Sequence, residues 1–175
     1  MESSDVRRLV LMHDESIIEV GVLATSACEN LKGSPGLPVS PRAFLARLNA
    51  LGWVHLQIVP TVAVYDMTFW DFCFWANDDD SDLISQIWRV IGKSIPENIT
   101  DFSKMHHIAD SEPNESAKFK KWRNVWCDVH SAHAHIKASR DVFITMNSKH
   151  FQANRGELAL LGMDRIETPK SYLAH

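Results

Sequence analysis

The stretch Trp126–Phe151, WCDVHSAHAHIKASRDVFITMNSKHF, followed by Glu157–Leu173, ELALLGMDRIETPKSYL, decides the fold. Asp128 opens its helical part, and Val142, Phe143, Ile144 and Thr145 then form an apolar run of strand length. A second helix and a short strand, DRIET, complete the series. Helix, buried strand, helix, strand predicts an α/β fold with a parallel sheet, because parallel neighbours need a crossover between them. Asn147, Ser148 and Lys149 lie just past the strand, and open α/β sheets bind ligands at the carboxyl ends of their strands. Asp141 lies at the opposite end and reads as structural, ending the preceding helical region or pairing with Arg140.

Outward from this core, residues 5 to 14 have helical spacing and IIEVGVL at 17 to 23 reads as a buried strand. Thr25 or Ser26 caps a helix over SACENL, and Gly33, Pro35, Gly36 and Pro38 end it in a loop. Ser40 with Pro41 starts a helix that runs to Gly52. HLQIVPTVAVY at 55 to 65 is a strand that Pro60 confines to an edge or bends. After the aromatic run DMTFWDFCFW, the acids of NDDDSD cap an amphipathic helix that stops at Gly92. Residues 93 to 117 read as a long irregular connection. The middle, about residues 60 to 120, is expected to be a helical insertion on the α/β frame.

An Asp-led helix, a short basic turn, a hydrophobic strand ending in Thr145 and a polar residue shortly before Phe151 together resemble the last half of a PIN domain. Upstream, LMHDESIIEVGVLATSACENL is similar to the family's earlier helix, strand and helix, with Glu29 where a second acid is expected. The resemblance covers both ends of the chain and skips its middle. It implies a three-layer α/β/α fold and a metal-dependent ribonuclease, often the toxin of a toxin–antitoxin pair. Carried over residue by residue, Glu29, Asp128 and Asn147 would be the catalytic and metal-holding groups for Mg²⁺ or Mn²⁺, which take oxygen ligands. Lys149, Lys120, Lys121 and Arg123 would meet the RNA, single-stranded or structured, and an antitoxin would be the protein partner.

The chain departs from the family pattern twice. It begins at Met1 with what reads as the family's second element, so residues 1–175 are expected to be one PIN-like domain lacking the first strand and its Asp. At the fourth acidic position stands Asn147, whose amide can ligate a hard cation but brings no charge. The rival expectation is a catalytically degenerate PIN-like module that binds protein or nucleic acid. A sheet short of one strand leaves an open edge, which makes a homodimer a corollary.

Each candidate also has a structural reading. Asp128 and Glu29 can be ordinary helix acids, and Asn147 with Ser148 a simple turn and cap. Phe119, Trp122 and Trp126 recur at three and four, so they form an apolar stripe facing the core with the lysines as its solvated flank. His130, His133 and His135 share no helical face, which argues against a zinc site, and leaves His135 as a neighbour of Asp128. Phe69, Trp70, Phe72, Phe74 and Trp75 are either core or a surface for an antitoxin helix.

Composition bounds the rest. A chain of 175 residues, 45% hydrophobic, suffices for one core. A net charge of −4 denies it the general basic field of nonspecific nucleic-acid binders. Cys28, Cys73 and Cys127 make no CxxC and suit a reducing cytoplasm, and no targeting or membrane-spanning segment is legible. There is no GxSxG and no cysteine in a basic setting, which sets serine and cysteine nucleophiles aside.

Overall fold

The computed structural model describes residues 4–28, 40–113, 116–147 and 149–174. Helix α1 spans Ser4–Asp14, and the chain then enters strand β1, Gly21–Leu23, and a 3-10 turn over Ala24–Cys28. The expected helix SACENL is thus a tight turn as far as Cys28, and its remainder lies outside the described residues. Helix α2, Pro41–Ala50, starts as its sequence demands: Ser40 is extended and its hydroxyl accepts from the Ala43 N–H at 3.2 Å.

Pro60 splits the expected strand at 55 to 65 into two. Strand β2, Gln57–Val59, pairs with β1, whereas β3, Thr61–Val62, pairs with β4, Cys73–Phe74. Strands β5, Phe143–Ile144, and β6, Ile166–Glu167, form a third pair. All three pairs are parallel, as the sequence order predicts, but they stand as separate two-stranded ribbons instead of one continuous sheet.

Helix α3, Asp78–Ile91, begins inside the acidic run. Asn77 accepts from the Asp80 N–H at 2.9 Å and Asp80 accepts from the Asn77 N–H at 3.1 Å, a reciprocal cap. The expected irregular stretch 93–117 contains helix α4, Ile99–Met105, capped by Asn98 and anchored by the buried Phe102. Helix α5 runs Lys120–Lys137 and is the central element. It starts two turns before Asp128, so that Asp128 lies within the helix and does not open it. Helices α6, Arg155–Ala159, and α7, Pro169–Tyr172, close the chain, and α7 packs on α1.

The main core joins α3 and α5 through Ile84, Ile87, Trp88, Trp122, Val125 and Val129, and extends to Phe143, Phe151, Leu158 and Met163. Phe119, Trp122 and Trp126 are all buried, so the aromatic stripe of α5 faces inward. The middle of the chain, expected as a helical insertion, carries helices α3 and α4 together with the β3–β4 pair, and α3 forms half of the core interface. The aromatic run divides. Phe69 and Phe72 pack with Phe44 in a smaller cluster, Phe74 joins the main core, and Trp70 and Trp75 stay exposed, their ring centroids 5.2 Å apart.

Arg140 turns away from Asp141 and holds two ribbons together. Its Nη1 donates to Glu19 Oε1 at 2.7 Å and its Nη2 reaches the Gln57 side chain. Gly21 makes room for Val59 of the paired strand, since a Cβ there would stand 2.9 Å from Val59 Cγ2. No described helix is long and apolar enough to cross a membrane.

Candidate functional site

Helix α5 carries Asp128 to the carboxyl end of β5, where the chain turns through Asn147. Asn147 Nδ2 donates to Asp128 Oδ2 at 2.8 Å. The same oxygen meets Nδ1 of His150 in a short contact. Asn147 Oδ1 accepts from the His150 N–H at 3.1 Å, Thr145 Oγ1 accepts from the Asn147 N–H at 3.0 Å, and the His150 carbonyl accepts from Asn154 Nδ2 at 2.8 Å. Phe151, the next residue, is buried in the core. The three polar groups are held by backbone hydrogen bonds on one side and by buried aromatic packing on the other.

Burial pushes the Asp128 carboxyl above the usual carboxylate range, and the hydrogen bond and charge of His150, with the Asn147 amide, only partly offset it. The ionised form is thus disfavoured by the fold. Asp128→Asn should therefore leave the thermal midpoint at pH 7 unchanged or raise it, by at most about 1 kcal/mol in stability, since an amide oxygen still accepts from Asn147. A loss of several kcal/mol on thermal unfolding would show that the charge stabilises the fold.

Of the residues named from sequence, Asp128 and Asn147 meet. Glu29 lies outside the described residues. Lys149 is exposed beside His150, and Lys120 and Lys121 are exposed in the first turn of α5, roughly 10 Å along the axis from Asp128 at about 1.5 Å per residue. Arg123 is corrected: it is buried, with Nη1 donating to the Ser116 carbonyl at 3.3 Å, so its guanidinium ties the fold and is not on the basic flank. His135 is also placed differently, packing edge-on to Phe143 with ring centroids 5.3 Å apart. His150, which the sequence reading passed over, takes the place beside Asp128. Its signal is the spacing Asn147-x-x-His150, in which an asparagine side chain caps the backbone three residues on.

A second polar cluster is buried. Asp80 is 3% exposed, and its Oδ1 lies 2.7 Å from Lys137 Nζ and 3.2 Å from His133 Nε2. Burial pushes Asp80 up, but the Lys137 hydrogen bond and charge, the Asn77 N–H and His133 outweigh it and hold the carboxyl below its ordinary value. Among the described residues, the Nδ1 atoms of His130 and His133 find no hydrogen-bond partner. These histidines do not converge on a metal: His130 stacks on Trp126 at 4.1 Å between centroids, while His133 faces Asp80 and Phe74.

Among the described residues, one group of three metal-ligand types comes together, His13, Asp14 and His55, with ligand atoms within 4.8 Å of one another. His13 Nδ1 accepts from the Val20 N–H at 3.2 Å and His55 Nε2 pairs with Asp14 at 2.9 Å. A neutral imidazole that accepts at Nδ1 carries its proton on Nε2, so His13 offers no free lone pair in this arrangement. The cluster is built as a hydrogen-bonded helix end and not as a ligand set.

A cavity of about 820 Å³ lies between β1 and β5. Residues 17–23 form one wall and 140–146 the other, with Val6, Leu9 and Val10 of α1 and Tyr172 of α7 alongside.

The chain matches no protein-family model, no curated protein and no solved structure.

Proposed function

We propose that the chain is a PIN-like module that works by binding, and that its Asp128 site does not cleave RNA unaided. One observation carries this reading: at the carboxyl end of β5, Asp128 Oδ2 is already engaged by Asn147 Nδ2 and His150 Nδ1, and no third His, Cys, Asp or Glu among the described residues joins them at ligand distance. Mg²⁺ or Mn²⁺ needs several oxygen ligands and enough negative charge to hold a water against a phosphate. One carboxylate already engaged by two side chains supplies too few ligands and too little charge. The net charge of −4 and the burial of Arg123 favour a protein over a nucleic acid as the partner.

The second reading is the metal-dependent ribonuclease, favoured by the meeting of Asp128 and Asn147 at 2.8 Å with Lys149 nearby. In it, Asp128 and Asn147 with Glu29 would hold the ion, and Lys149 would steady a phosphate. Incubation of purified protein with single-stranded RNA and Mn²⁺ separates the two. The binding reading expects no cleavage at high protein concentration. Cleavage that EDTA and Asp128→Asn both abolish would overturn it in favour of the nuclease.

A further inference from the structure

We infer that the exposed pair Trp70 and Trp75, set among aspartates, is a docking surface for an arginine-bearing basic segment of a different polypeptide. The inference rests on the binding reading above and names a surface and the chemistry of its partner.

The local fold turns these two rings to water. Phe69 and Phe72 pack with Phe44, Phe74 reaches the main core, and Cys73 Sγ donates to the Phe69 carbonyl at 2.9 Å. With these neighbours anchored inward, Trp70 and Trp75 are left 58% and 77% exposed. Their ring centroids lie 5.2 Å apart with the planes inclined at 54°, so the rings stand side by side without stacking shut. Two adjoining tryptophans left in water, beside phenylalanines that the fold tucks away, have the composition of an interface hot spot.

Charge selects the occupant. Residues 65–82 contain Asp66, Asp71, Asp78, Asp79, Asp80 and Asp82 and no lysine, arginine or histidine, which makes this segment alone more acidic than the whole chain at −4. All but Asp80 are exposed, and no base among the described residues pairs with those five. Asp66 is fixed at a φ of 62° in a turn where the Val64 carbonyl accepts from the Met67 and Thr68 N–H groups, each at 3.1 Å. At the start of α3, Asp78 and Asp79 are favoured by the helix dipole, yet the capping bonds belong to Asn77 and Asp80. Such a field repels a phosphate backbone and gathers a cation. The same pairing already operates inside the fold: Lys137 Nζ lies 2.7 Å from Asp80 and 5.8 Å over the Phe74 ring, an ammonium shared by a carboxylate and an aromatic face. Trp70 and Trp75 with Asp71, Asp78 and Asp79 repeat that combination at the surface, where the described residues supply no cation. Arginine suits it better than lysine, because a guanidinium stacks on an indole and also forks onto a carboxylate.

The test titrates the full chain with a labelled peptide Gly-Arg-Arg-Gly-Arg-Arg-Gly, beside the same peptide with citrulline, the uncharged isostere, at every arginine, and reads fluorescence anisotropy. The arginine peptide should bind saturably and lose affinity as salt rises, and the citrulline peptide should not bind. Trp75→Ala should weaken binding about tenfold with the thermal midpoint unchanged, and Asp71→Asn combined with Asp78→Asn should weaken it with both tryptophans in place. No binding of the arginine peptide, or equal binding of both, would overturn the surface. Binding that Trp70→Ala and Trp75→Ala leave intact would overturn it too, reducing it to attraction by the acids alone. Tighter binding of a single-stranded oligonucleotide would overturn it in favour of base stacking. A dimer by light scattering that Trp75→Ala makes monomeric would overturn it in favour of a second copy of this chain. The RNA assay reads the Asp128 site separately: cleavage would end the binding reading while leaving the peptide result to stand by itself.

Discussion

Acidification from pH 7 to pH 4.5 should destabilise this protein by roughly 5 kcal/mol, a large part of the about 5–15 kcal/mol that holds a domain together. The cause lies in α5. Burial pushes the His130 imidazole down to about 3, helped by His133, and pushes His135 down to about 4, with Arg140 adding to the shift and Asp141 opposing it. Both start from 6.5, so each is neutral in the fold over a window where the unfolded chain binds a proton. Stability dependent on such groups is complete above the unfolded value and falls with pH until the folded value is reached, at about 1.4 kcal/mol per pH unit for each histidine. His133 shifts in the same direction, because its burial and Lys137 outweigh Asp80. Asp128 works the other way: its raised carboxyl favours the fold as pH falls through that value. Asp80, held low, withdraws stability only below its unfolded value of 3.8. Urea unfolding at pH 7, 6, 5 and 4.5 measures the slope, and His130→Phe should flatten it by about one proton. A midpoint that stays level from pH 7 to 5 would show that these imidazoles are not buried neutral.

Phe151→Ala should cost about 3–5 kcal/mol, the usual range for deleting a buried aromatic ring, and lower the melting temperature by roughly 10 °C in a chain of this size. Phe151 is 2% exposed and its ring centroid lies 4.6 Å from that of Phe143 on β5. It directly follows His150, which hydrogen bonds with Asn147 and Asn154 hold in place, so the substitution tests the packing beside the site. Phe151→Leu, which refills most of the volume, should recover the larger part of the stability. Calorimetry on both variants checks the pair. A Phe151→Ala protein within about 1 kcal/mol of the parent would mean that the β5 ribbon does not pack on the core.

Local pattern carried much of this architecture and long-range pairing carried the rest. Helices α1, α2 and α5 follow from apolar spacing and from caps such as Ser40, and β5 and β6 from short apolar runs. Helix α4 escaped because its stretch is rich in Pro and Asn and has one fully buried anchor, Phe102. Strand β4 escaped because it is two residues long inside an aromatic run whose members face different ways. Pro60 announced a break, but not that the halves would join different ribbons. At the site, Asn147 was read from the polar turn past β5 and Asp128 as the opening acid of a helix, although it lies within α5; their meeting across 19 positions has no local pattern. The Asp128–His150 contact spans 22 positions and the Asp80–His133 contact 53, and no local pattern encodes either.

The packing of α1 on α7 has a mechanical meaning. The first and last described helices touch each other, and both stand against the cavity between β1 and β5. A load applied to the two ends of the described chain would peel this pair apart before it reached the α3–α5 interface, where the deepest side chains lie. The molecule should therefore yield under tension in two stages, with the cavity uncovered at the first and the core lost only at the second.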